Sequence, residues 1–206
     1  LERVAIQKDD YAYYPDAGYG EGFAYPKSGW RHTREPGDEH EGGEGSVTAY
    51  HGYQMRSLSI WAAQSGDEQA LEFAGKLAKF VMKRKFWCGV SEAIQCSANE
   101  RGHADSHFHA RGLALRGLLE YGLVAGDAEA CEFVRSAYEY ARQFGIPALG
   151  FIPTYHSHRV KYRGTMEACY LSDVITMSVK LSEAGYGDFW EDADRTIRNH
   201  LIEGQL

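Results

Sequence analysis

Residues 107–142 read HFHARGLALRGLLEYGLVAGDAEACEFVRSAYEYAR, and this stretch sets the fold class. Its first half, His107 to Val124, is rich in Leu, Ala and Gly. Gly126-Asp127 then turns the chain, glycine ending one helix and aspartate starting the next. Beyond the turn Cys131, Val134, Tyr138 and Ala141 fall three or four positions apart and make an apolar stripe on a more charged helix. The stretch is a helical hairpin.

The plan recurs on both sides. Upstream, a helix is expected from Ser46 to Ala63, with Val47, Tyr50, Leu58 and Trp61 on one face and Ser46 as its N-cap. Gly66-Asp67 turns it into a second helix striped by Leu71, Ala74, Leu77, Ala78 and Val81, with Lys76, Lys79 and Lys83 outside the stripe. Downstream, Glu167 to Ala184 and Phe189 to Ile202 flank Gly187-Asp188. The turns start at 66, 126 and 187, so the spacings are 60 and 61. This is an internal repeat, with room in each unit for a long connection beside its helix pair. The less charged helix of each pair is expected to be the inner one, because a helix covered on most sides cannot satisfy many charges.

The expected fold is therefore all-α, three helical hairpins forming part of an α/α toroid. Residues 1–45 form an aromatic and glycine-rich extended lead-in and residues 46–206 the helical-hairpin domain. A closed ring needs more pairs than three, Leu1 is not a start methionine, and the chain stops directly after a helix. The remainder of the domain is accordingly expected to be missing.

Composition narrows the function classes. With 44% hydrophobic residues the chain has enough apolar material for a packed core and is not disordered. A net charge of -7 without a cluster of Lys and Arg argues against nucleic acid as a partner. No stretch approaches the roughly 20 apolar residues of a membrane-crossing helix, so no membrane partner is expected. Four cysteines, none in a C-x-x-C pair, do not make a disulfide framework.

Chemistry-bearing residues concentrate in the connections ahead of the inner helices. In 31–45, Glu41 and Glu44 sit among glycines that let a backbone approach a ligand; they are either acid or hydrogen-bonding groups for a sugar or part of a solvated acidic loop. In 101–111, His103, Asp105, His107 and His109 precede a helix. Spacing two suits a metal poorly, which leaves substrate contact or packing. In 150–159, Tyr155 and His156 lie in a polar, aromatic loop that is either a binding loop or a surface connection. In 164–173, Glu167 and Cys169 at a helix mouth are either two zinc ligands or a dipole-complementing carboxylate beside a small thiol.

The run Gly164-Thr165-Met166-Glu167-Ala168-Cys169, followed by Leu181-Ser182-Glu183-Ala184-Gly185 and by residues 188–199, resembles the β-L-arabinofuranosidase-like six-hairpin glycosidases. These are glycoside hydrolase family 127 and its uncharacterised bacterial relatives. The match is clearest over residues 164–206. The resemblance implies an α/α toroid acting on a carbohydrate, with Glu167 and Cys169 as two zinc ligands. It also implies an adjacent Cys-Cys pair that completes the zinc site and supplies the nucleophile. No such pair occurs in these 206 residues, and the general acid of the family has no counterpart in 150–153. The acid would then come from Glu41, Glu44 or Asp105. The alternatives are a non-catalytic helical-repeat module and a lyase-like toroid with His107, His109 and Tyr155 as base and acid.

Overall fold

The computed structural model describes residues 1–14, 46–83, 87, 107–155, 164 and 166–205. Among them the chain is mainly α-helical. The helices are α1 (Ser46–Ser65), α2 (Glu68–Val81), α3 (Phe108–Ala125), α4 (Ala128–Arg142), α5 (Cys169–Glu183) and α6 (Trp190–Thr196). The last continues through a π-helical turn, Ile197–Ile202, into a 3-10 turn. Strands β1 (Ile6–Gln7) and β2 (Ala12–Tyr13) form one antiparallel pair.

Two of the turns have the chemistry the dipeptides specify. Gly66 and Gly126 take φ of 74° and 68°, where a side chain would be strained. Asp67 and Asp127 then cap α2 and α4, accepting the Ala70 and Ala130 N–H groups at 3.0 and 3.1 Å. The third turn departs from the expectation. Both Gly185 and Gly187 take positive φ, 79° and 144°, and α6 starts after Phe189 without a side-chain cap from Asp188. A longer connection is held instead by the Phe189 N–H donating to Ser182 Oγ at 2.8 Å and by the Phe189 ring, set edge-on to Tyr138 with centroids 5.1 Å apart.

The helices form two layers. α3 packs between α1 and α5, while α2, α4 and α6 each back their own partner. The polar links between inner helices repeat the period seen in the sequence. Arg111 donates to Thr48 Oγ1, His107 meets Glu167, and Lys180 donates to Glu120, at separations of 63, 60 and 60 residues. The two links 60 residues apart require α3 and α5 to run parallel, and Thr48 facing Arg111 with Gly52 facing Leu113 and Gly117 sets α1 in the same direction, so the N-terminal ends lie on one side.

The stripe expected on α1 is met only at Leu58, which packs half-buried against the core, and Val47 lies outside the side chains described. Tyr50 and Trp61 are exposed, whereas Thr48, His51, Met55, Ser59 and Ala62 are buried. The reason is how closely α1 and α3 cross. A Cβ on Gly52 would lie 2.3 Å from the Leu113 carbonyl oxygen, and one on Gly117 would lie 2.3 Å from the Gly52 carbonyl oxygen. Backbones this near leave no space for a large side chain at the crossing point itself. Ser46, expected as the cap of α1, is its first helical residue.

The outer stripes are as expected. Ala74, Leu77, Ala78 and Val81 of α2 are buried, and so are Cys131, Val134, Tyr138 and Ala141 of α4; only Leu71 is half-exposed. The start of the lead-in packs on this frame. Tyr13 stacks on Phe80 with centroids 4.8 Å apart, and the Tyr14 N–H donates to Nε2 of the buried His51 at 2.9 Å.

Candidate functional site

The connection between α4 and α5 shapes the mouth of the inner layer. Gly150, at φ 69°, reverses the chain after a 3-10 turn, and Ile146 pairs with Phe151 across the reversal. The chain then runs extended to the start of α3, where the Phe108 N–H donates to the Thr154 carbonyl at 2.8 Å and His107 pairs with Tyr155. Beneath this seam the fully buried rings of Phe108 and Tyr170 meet edge to face, 5.6 Å between centroids, and the Tyr170 hydroxyl accepts the Ile152 N–H at 3.2 Å. A rigid apolar floor thus holds a polar rim.

On the rim, His107 Nε2 lies 2.8 Å from Glu167 Oε2, and the Cys169 thiol donates to the same oxygen at 3.2 Å. The Tyr155 ring sits beside His107, with centroids 5.1 Å apart. Next to these, His109 Nδ1 lies 2.7 Å from Oδ2 of the fully buried Asp173, whose Oδ1 accepts from Arg116 Nη1 at 3.0 Å. The buried Arg111 lies farther along α3, its guanidinium 5.3 Å from the Trp87 ring centroid.

The electrostatics assign protonation states. Burial pushes the Glu167 carboxyl up, but the hydrogen bonds from His107 and Cys169 and the attraction of both imidazoles outweigh it, so its pKa is lowered. Glu167 is ionised at neutral pH. Burial and the Glu167 charge push the Cys169 thiol up to about 11, so it stays protonated and is no activated nucleophile. The hydrogen bond to Asp173 raises the pKa of His109 against its partial burial.

Of the residues expected from the sequence, His107, His109, Tyr155, Glu167 and Cys169 come together at this rim. Glu41, Glu44, His103, Asp105 and His156 lie outside the described residues. Sequence reasoning singled out neither Asp173 nor Arg116. The available signal was spacing: His109, Gly112 and Arg116 fall at i, i+3 and i+7 on an otherwise Leu- and Ala-rich helix, a polar and small-residue stripe that needs a partner.

Zinc at Glu167 and Cys169 matches in donor type, an ionised oxygen and a sulfur at a helix mouth. Among the described residues, however, no group of three or more His, Cys, Asp or Glu side chains is placed to hold a metal ion. Tetrahedral zinc would need two further ligands, and here the sulfur donates a hydrogen bond to Glu167.

These pairs set a pH window for stability. Glu167, with its pKa lowered, contributes stability that is present above the ordinary value of 4.5 and is lost as pH falls through its folded value. His109, with its pKa raised, contributes stability that is present below 6.5 and is lost as pH rises through its folded value. Both contributions are complete only between pH 4.5 and 6.5. Thermal unfolding midpoints of the chain and of Glu167→Gln and His109→Gln across pH 3–9 should converge at both extremes, Glu167→Gln at the acid end and His109→Gln at the alkaline end. Parallel curves would show that neither pair senses pH.

Among the described residues no helix is long and apolar enough to cross a membrane. No family model, no curated protein and no solved structure matches the chain.

Proposed function

We propose that the chain is part of a glycoside hydrolase, that its three hairpins are an arc of an α/α toroid, and that the mouth of α3 and α5 is one wall of the sugar-binding cleft. The observation that carries this reading is the convergence of His107, Glu167 and Cys169, from adjacent inner helices, at distances of 2.8 and 3.2 Å. Such a rim matches the chemistry of a sugar. Glu167 accepts from ring hydroxyls and stabilises positive charge developing at the anomeric carbon. His107 offers a donor, and Tyr155 a face for the apolar side of the ring. Being held ionised, Glu167 is unsuited to protonating a leaving oxygen. Asp173 has no exposure and is already paired, so the acid falls to Glu41, Glu44 or Asp105. Zinc, when bound by Glu167 and Cys169, would stabilise a thiolate; the residues described here bind and orient.

The test is sugar binding by the chain itself. L-arabinose, other pentoses and hexoses are titrated into labelled protein, following the His107, Tyr155 and Cys169 resonances. Glu167→Gln and His107→Ala should each weaken binding about tenfold, the loss of one charge-assisted hydrogen bond, with a cooperative unfolding transition retained and, for Glu167→Gln above pH 4.5, lowered only by the lost pair. Aryl glycosides, arabinofuranosides included, should be turned over little or not at all, because the cysteine pair implied by the resemblance is not among these residues. If no sugar perturbs the rim, or both substitutions unfold the chain, these are packing residues. The proximity of His107 and Tyr155 favours one competitor, a lyase with His as base and Tyr as acid. Release of unsaturated uronate products from acidic polysaccharides would establish that reading instead.

A further inference from the structure

The stripe His109, Gly112 and Arg116 on α3 forms a receptor for one carboxylate of α5. Asp173 has no solvent exposure. Its Oδ2 lies 2.7 Å from His109 Nδ1 and its Oδ1 accepts from Arg116 Nη1 at 3.0 Å, so both oxygens have fixed partners. Gly112 makes the approach possible, since a Cβ there would lie 2.6 Å from Asp173 Oδ2. His109 itself is a quarter exposed, and its Nε2 has no hydrogen-bond partner among the described residues. Its neighbour His107 differs, because there Nε2 is already engaged by Glu167.

We propose that Asp173 is a positioning residue for His109. It accepts the Nδ1 proton, fixes the ring as the Nδ1–H tautomer, and leaves Nε2 to exchange a proton with a ligand hydroxyl at the mouth. This rests on the sugar-cleft reading for the identity of the ligand but not for the tautomer. An imidazole between two groups needs one nitrogen committed so that the other has a defined role, and a buried carboxylate makes that commitment. Among the described residues the charged and titratable groups facing the ring are Asp173 and Glu167 from the α5 side and Arg116 and His107 from the α3 side. The two carboxylates favour the protonated ring and Arg116 opposes it, so His109 is suited to carry a proton inward and return it. No bond other than N–H and O–H forms or breaks in this step: the proton leaves Nε2 for the ligand oxygen, or the reverse.

The experiment is long-range nitrogen–proton NMR of the 15N-labelled 206-residue chain without ligand, with the His109 ring assigned by His109→Gln. The expected result is a neutral His109 in the Nδ1–H form that titrates at higher pH than it does in Asp173→Asn. In that variant the tautomer preference should be lost and the midpoint should fall. The reading from the unsubstituted chain needs no variant, so a misfolded Asp173→Asn leaves it decisive. A neutral His109 in the Nε2–H form would overturn the proposal, as would an unchanged midpoint in a folded Asp173→Asn. Monosaccharide titration then separates the two readings. Nε2 shifts on adding a sugar support both, whereas an Nδ1–H ring that no sugar perturbs upholds the role of Asp173 and sinks the sugar cleft.

Discussion

Gly52→Ala or Gly117→Ala should each destabilise the chain by about 2 kcal/mol, although both glycines lie inside helices where alanine is intrinsically better by about 1 kcal/mol. The opposing effect is steric. Each new Cβ would sit 2.3 Å from a carbonyl oxygen of the facing helix, and that oxygen, unlike a side-chain tip, cannot rotate away. Relief requires α1 and α3 to move apart along their whole length, and overpacking of this kind costs about 3 kcal/mol. For a chain of this size the net loss lowers the unfolding midpoint by roughly 4–8 °C. Circular dichroism melts of the two variants measure it, and a raised midpoint in either would show that the inner layer yields more easily than its packing implies. Gly52→Val should fail to reach the native melt altogether.

Asp192→Ala should cost about 2–3 kcal/mol, or roughly 4–12 °C, for a different reason. Asp192 is 6% exposed and ties α6 to α4, accepting the Tyr138 hydroxyl and Arg142 Nη2, each at 3.0 Å. Removing it leaves a buried phenol without its acceptor and a guanidinium without its counter-ion. Arg142 is 30% exposed on its side chain, so water recovers part of that loss and the figure lies below that of a fully buried pair. The cycle with Tyr138→Phe tests the cause. Once the hydroxyl is gone, deleting Asp192 should cost measurably less, and strict additivity would mean that the two groups do not share the effect.

The hairpins were legible because their signals are local. Gly126-Asp127 declares a turn through backbone conformation and capping, and the α4 stripe declares a face through helical spacing; neither depends on distant chain. The same logic failed at the third turn. Gly187-Asp188 matches the dipeptide, but Gly185 as well as Gly187 takes positive φ, Asp188 does not cap α6, and the connection is fixed by Ser182 and by the Phe189 ring packing on Tyr138, a contact 51 residues away in sequence. It failed again at α1, where large residues at helical spacing suggested a buried stripe. Only the approach of Leu113 and Gly117 to Gly52 decided that the face bearing Thr48, His51, Met55, Ser59 and Ala62 turns inward.

The site divides in the same way. Histidines ahead of one inner helix and a Glu-x-Cys run ahead of another marked two connections as chemically unusual, and a repeat of about 60 residues implied that they open on the same side. By itself, then, the sequence determined the helical class, the hairpin period and which connections carry reactive groups, because turn chemistry and amphipathic spacing act within a few residues. Tertiary structure alone decided that His107 pairs with Glu167 and His109 with Asp173, which engages Nε2 of the first ring and Nδ1 of the second. Which carboxylate a ring meets depends on the rotation and offset of two helices 60 residues apart, and at this contact Gly112 of α3 lets Asp173 of α5 approach where a Cβ would lie 2.6 Å from its Oδ2.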